Sequence, residues 1–153
     1  MASYSERELQ ELGDGVARIV SRPVSSSEKS LLKDTSERER KTVERELVYL
    51  RAFALDAALW TVLGDSGVRA KLLDAAYTRL ASEGHITYDT LNERLRDYGE
   101  ALREYGFTEQ LISGVGNVFS HHCSSVPARW VAELEFSVAF RTLVETLGKT
   151  GAE

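Results

Sequence analysis

Three consecutive residues hold the densest potential chemistry in the chain. His121, His122 and Cys123 are side-chain types that bind metal ions or serve as base and nucleophile. Successive residues on an α-helix lie about 100° apart. Chelating pairs therefore sit at i, i+3 or i, i+4. No His, Cys, Asp or Glu lies three or four positions from any of the three, so the tripeptide alone is not a chelate. Leu111, Val115, Val118 and His122 share one stripe, which turns His122 inward. His121 falls on a flank with Gly114 and Asn117, and Cys123 sits at the edge. His122 is expected as a hydrogen-bonded core residue, with a pocket wall or a metal held by distant ligands as the alternatives.

Charges inside apolar stretches point to a second place for chemistry. Asp56 shares a face with Tyr49, Phe53, Trp60 and Leu63. A carboxylate there must be paired, hydrogen-bonded or protonated. His122, Arg141, Arg129 or a tyrosine hydroxyl are its candidate partners, with His122 first. Arg51 lies on another face, among Leu47, Leu55 and Ala58. A structural ion pair is one reading of these charges. The other is a pocket floor, lined by Asp56, Trp60, His122 and Trp130.

Other motifs say less. Gly114 and Gly116 interrupt a helical pattern, which suits either close helix crossing or room for a ligand. Gly148-Lys149-Thr150 ends like a phosphate-binding loop, but the position that loop needs as glycine is Leu143. There is no G-x-S-x-G, H-E-x-x-H or di-iron E-x-x-H pattern. Arg79 and His85 stand five residues apart. That spacing resembles the arginine–histidine signature of HEPN-type ribonucleases, which are small helical dimers with a composite site. The resemblance covers two residues and implies RNA cleavage at Arg79 and His85.

The elements that must position these residues are helical. No stretch alternates with period two, and apolar residues recur at helical spacing almost throughout. A first segment, 4–20, aligns Leu9, Leu12, Val16 and Ile19. Pro23 and a serine run then mark 21–35 as a linker with a turn near Leu31-Leu32. The first segment is thus either docked or an arm reaching a second subunit. Ser36 and Glu39 form a capping-box pattern that opens a helix ending at Gly64. Its first half, 37–46, reads as solvated and its second half as the centre of the domain. Segments 67–83, 88–105, 109–123 and 127–147 follow, with Gly148 as the last stop. Leu91, Leu95, Tyr98, Leu102 and Tyr105 give 88–105 a narrow seam and a peripheral place. The short links predict that sequential helices are antiparallel neighbours. The last segment has two apolar faces, one with Pro127, Trp130, Val131, Leu134 and Val138, the other with Phe136, Phe140, Leu143, Val144 and Leu147. Arg141 and Glu145 extend the first and are expected as an i, i+4 pair.

The fold class is therefore all-α: a compact antiparallel bundle of five main helices within 36–148, an N-terminal helical arm and linker over 1–35, and a disordered tail at 149–153. The chain has 153 residues, 42% of them hydrophobic, a net charge of -5 and one cysteine. The acidic balance argues against nucleic-acid binding, and a single cysteine excludes an internal disulfide. The opening residues lack the apolar run of a signal peptide. The longest apolar run is broken by Arg51 and Asp56, which argues against a membrane span. These features predict a cytoplasmic, non-enzymatic protein without cofactor or bound metal. It is expected to act by protein–protein contact, as a homodimer or with another protein partner. The predicted dimer surface is the last helix, the first helix or the seam of 88–105. A small-molecule sensor with its pocket among the second, fifth and sixth helices is the alternative.

Overall fold

The computed structural model describes residues 4–23, 29–30 and 32–151, the last three by their backbone alone. The helices are α1 (Glu6–Val20), α2 (Glu37–Leu63), α3 (Gly67–Ser82), α4 (Tyr88–Tyr105), α5 (Glu109–Cys123) and α6 (Val126–Gly151). No strand occurs among the described residues. Local chemistry explains most of the boundaries. The tetrapeptide Ser-Glu-Arg-Glu occurs twice, at 5–8 and 36–39. At Ser5 it closes a full capping box, with both reciprocal bonds at 3.1 Å. At Ser36 only half forms: the Glu39 N–H donates to Ser36 Oγ at 3.2 Å. Gly64 and Gly106 end α2 and α4 at φ +62° and +63°, a conformation that disfavours a side chain.

α2 is the axis of the bundle. From Leu47 to Leu59 every residue except Asp56 is buried. Burial also reaches back to Val43 and Glu46, so the predicted solvated half of α2 is only partly solvated. Val43, Glu46, Leu47 and Leu50 follow the i, i+3, i+4, i+7 rule of a single buried stripe. α3 runs antiparallel to α2, pairing Asp56 with Arg69 and the Ala52 carbonyl with Tyr77. α4 runs parallel to α2, with Glu46 opposite Arg94 and Phe53 stacked on Tyr98 at 5.3 Å. α5 returns antiparallel to α4, and α6 packs on both α2 and α5.

The structure decides or corrects several of these expectations. α3 and α4 are joined by a short link yet pack little on each other, because each docks on its own side of α2. α4 is peripheral, with Leu91, Tyr98 and Ala101 its only buried residues, but its seam is held between α2 and α5 and Arg94 and Asp97 beside it are partly buried. Of the two readings of α1, a docked segment or an arm, the docked one holds. Leu9, Val16, Ala17 and Val20 are buried, and the helix lies along α3. Finally, α6 continues through Gly148, which has nothing within 4 Å of the place its Cβ would take. A glycine costs a helix only about 1 kcal/mol, so it does not stop one unaided. The tail predicted as disordered is helical over 149–151. Residues 152–153, like Leu31 of the predicted linker turn, lie outside the described residues.

Close approach governs three glycines. A Cβ on Gly13 would lie 2.7 Å from the Cβ of Ala75 on α3. One on Gly114 would meet the Tyr105 ring at 2.7 Å, and one on Gly116 the Cγ atoms of Glu133 and Arg129 at 2.9 and 3.1 Å. The two α5 glycines therefore serve helix crossing. Gly15 and Gly99 face open space. Gly13→Ala is expected to destabilise by about 1–3 kcal/mol, since two helices must part. Gly15→Ala and Gly99→Ala are each expected to stabilise by up to about 1 kcal/mol. Urea midpoints of the three variants check this, and Gly13→Ala matching Gly15→Ala would refute the close crossing.

Candidate functional site

The charges predicted from sequence are paired, but with other partners. Asp56 forms an ion pair with Arg69 of α3, not with His122. The Arg69 guanidinium also lies over the Trp60 ring, 5.5 Å from its centroid, a cation–π contact. His122 Nε2 sits 3.0 Å from Asp97 Oδ2 of α4. The reason is topological. α5 returns along α4, which brings His122 to the Asp97 turn while Asp56 faces α3. His121 is exposed, whereas Cys123 is buried rather than at an edge. Among the described residues no group of three His, Cys, Asp or Glu could hold a metal ion.

Arg51 occupies the most enclosed polar site. It donates through Nε to Glu135 at 2.5 Å and through one terminal nitrogen to the carbonyls of Val20 and Arg22, at 3.2 and 2.7 Å. Arg22 reaches the same Glu135 oxygen at 2.7 Å. Arg51 and Glu135 are 1% and 2% exposed. This cluster joins α1, α2 and α6 and supplies donors to carbonyls at the end of α1, which the helix itself leaves unsatisfied. Glu46 and Arg94 form a second enclosed pair, two bonds of 2.9 Å between α2 and α4. Neither Glu135 nor Glu46 is singled out by sequence pattern. Each lies in a helix whose neighbouring charges are solvated, and its partner is far along the chain.

Of the predicted pocket residues, Asp56 and Trp60 come together with Arg69, whereas His122 pairs elsewhere and Trp130 projects into solvent. Asp56 and Trp60 edge an open depression of about 320 Å³ against Phe107. On the far side of Phe107 is a second groove, about 380 Å³, between the start of α5 and α6. Phe107, Leu111, Ile112, Phe136 and Phe140 form its walls and Arg141 its rim. Five rings run from the core to this surface: Tyr98, Phe53, Phe136, Phe140 and Phe107, each 5.3–6.2 Å from the next. The half exposure of Phe107 between two grooves depends on where α6 passes.

Arg79 is engaged by Glu83 at 2.9 Å and by Asp14 of α1 at 3.7 Å. His85, beyond the turn at Gly84, is exposed in a depression with Arg22, Lys41 and Arg45. No helix among the described residues is long and apolar enough to cross a membrane.

Among the described residues these features define an all-α bundle with enclosed ion pairs and open aromatic grooves. No protein-family model matches the chain, and no curated protein or solved structure is significantly similar to it.

Proposed function

We propose that this protein is a non-enzymatic, cytoplasmic contact protein that pairs with a second copy of itself through the outer face of α6. The observation that carries this reading is a stripe of apolar residues in solvent. Val126, Trp130 and Leu134 follow one another at i, i+4 and i+8 and are 70%, 54% and 41% exposed. The opposite side of the same helix, with Val131, Glu135, Ala139 and Leu143, is buried in the core. Two other surfaces were candidates. The α1 stripe is taken up against α3, and the α4 seam lies between α2 and α5, which leaves α6. Interfaces favour exposed tryptophan over charge.

A two-fold axis at Leu134 makes the stripe self-complementary. An antiparallel second α6 sets each Trp130 against the partner's Val138, four residues from the axis on either side. Such an isologous contact closes on itself and forms no filament. Light scattering is expected to give twice the 17.0 kDa of one chain. The double variant Trp130→Glu/Leu134→Glu is expected to give a monomer with unchanged helicity. A wild-type chain that stays monomeric at the highest attainable concentration overturns this reading.

A further inference from the structure

The groove between α5 and α6 presents a different chemistry from the outer face of α6. Its walls are five apolar side chains, Phe107, Leu111, Ile112, Phe136 and Phe140. At about 380 Å³ it lies within the range of small-molecule sites. Among the described residues no carboxylate lines it. Its two hydroxyls have committed their protons: Thr108 donates to the Tyr105 carbonyl at 2.8 Å and Ser137 to the Glu133 carbonyl at 2.9 Å. The remaining donor is Arg141. Among the described residues it has no ion-pair or hydrogen-bond partner, so the expected Arg141–Glu145 pair is not formed, whereas Arg69, Arg79, Arg94 and Arg129 are all paired. An apolar slot with one uncommitted guanidinium at its rim complements a molecule with an apolar body and a single anionic end.

We propose that the α5–α6 groove is a binding site for a small amphiphilic carboxylate, with its hydrocarbon or aryl body between Phe107, Ile112 and Phe140 and its carboxylate on Arg141. Ser137 and Arg141 lie on the same face of α6 as Trp130 and Leu134, so the rim of this groove borders the proposed dimer surface while its apolar walls lie apart from it.

The test uses the full chain and the fluorescent probe 1-anilinonaphthalene-8-sulfonate, which combines an aromatic body with one anion. Decanoate and decanol compete with it. A hydrogen bond to a charged group is strong enough that decanoate is expected to displace the probe at concentrations about tenfold or more below those decanol needs. Arg141→Gln is expected to weaken decanoate by the same factor and to leave decanol unchanged. Ile112→Trp and, at the rim, Ser137→Trp are each expected to fill the groove and abolish probe binding, with circular dichroism showing whether each variant folds. The monomerising variant Trp130→Glu/Leu134→Glu is expected to bind the probe as the wild type does. The proposal is overturned if decanol competes as well as decanoate, if Arg141→Gln changes nothing, or if a folded groove-filling variant still binds. It is also overturned if binding is lost with Trp130 and Leu134, which would put the probe on the outer face. A monomeric wild type that binds decanoate through Arg141 would leave this site standing and remove the dimer alone.

Discussion

Glu135→Leu is expected to destabilise the protein by about 3–5 kcal/mol, the usual cost of stranding a charge by removing its buried partner. In a chain of this size that corresponds to a melting temperature lower by roughly 10 °C. Arg51 is the stranded group. It is enclosed between α2 and α6, and one terminal nitrogen already lacks a partner among the described residues. Arg22 also loses Glu135, but it is a third exposed and can turn to water. The single variant Arg51→Met is expected to cost less, because Glu135 keeps Arg22. The loss that remains comes from the Val20 and Arg22 carbonyls, which Arg51 no longer serves. The double variant Arg51→Met/Glu135→Leu is expected to be more stable than Glu135→Leu alone, since no enclosed charge is left unpaired. Urea denaturation of the four proteins measures this coupling. Simple additivity of the two single effects would show that the ion pair does not act as a unit.

The second large effect is expected at alkaline pH. Tyr98 is fully buried, and its hydroxyl has no hydrogen-bond partner among the described residues. Burial, followed by the nearby charge of Glu46, raises its pKa well above the ordinary phenol value. Burial and then Glu46 push the Cys123 thiol up from 9.0 to about 12. Tyr77 is raised in the same way by burial and by Asp56. In each case the folded protein keeps a proton that the unfolded chain releases. The stabilisation is therefore fully present below the unfolded pKa and is lost as pH rises above it. Each such group removes up to about 1.4 kcal/mol per pH unit in that window. Tyr98 and Cys123 together approach about 3 kcal/mol per unit above roughly pH 10, with Tyr77 adding in the same direction. The urea midpoint is expected to hold to about pH 9 and then fall steeply. Tyr98→Phe is expected to shallow that fall by one proton. It also deletes an unpartnered buried hydroxyl, whose burial costs about 1–3 kcal/mol, so stability at neutral pH is expected to hold or rise. A midpoint that stays flat from pH 8 to 11 would contradict the burial of these groups.

The two effects share a feature that bears on how this chain is read. Helix existence, the caps at Ser36, Ser66 and Gly64, and the central place of α2 follow from local pattern: apolar residues at 3.6-residue spacing, punctuated by glycine and serine. The inward turn of His122 and the outward turn of His121 follow from the same geometry. The partners do not. Asp56 was matched with His122 on the strength of both facing inward, yet it meets Arg69, 13 residues along the chain. His122 meets Asp97, which lies outside the apolar α4 seam. Arg51 meets Glu135, 84 positions away.

The sequence by itself determined that the chain is helical, where its helices start, and which residues of most helices form an apolar stripe. Those properties depend on residues within a turn or two of one another. Only the tertiary structure decided which helix lies opposite each buried side, and with it every ion-pair partner between helices, the docking of α1, the exposure of Trp130 and the groove beside Phe107. Hydrophobic burial is non-directional: an apolar stripe is satisfied by any apolar neighbour, so the stripe alone does not specify which one it meets.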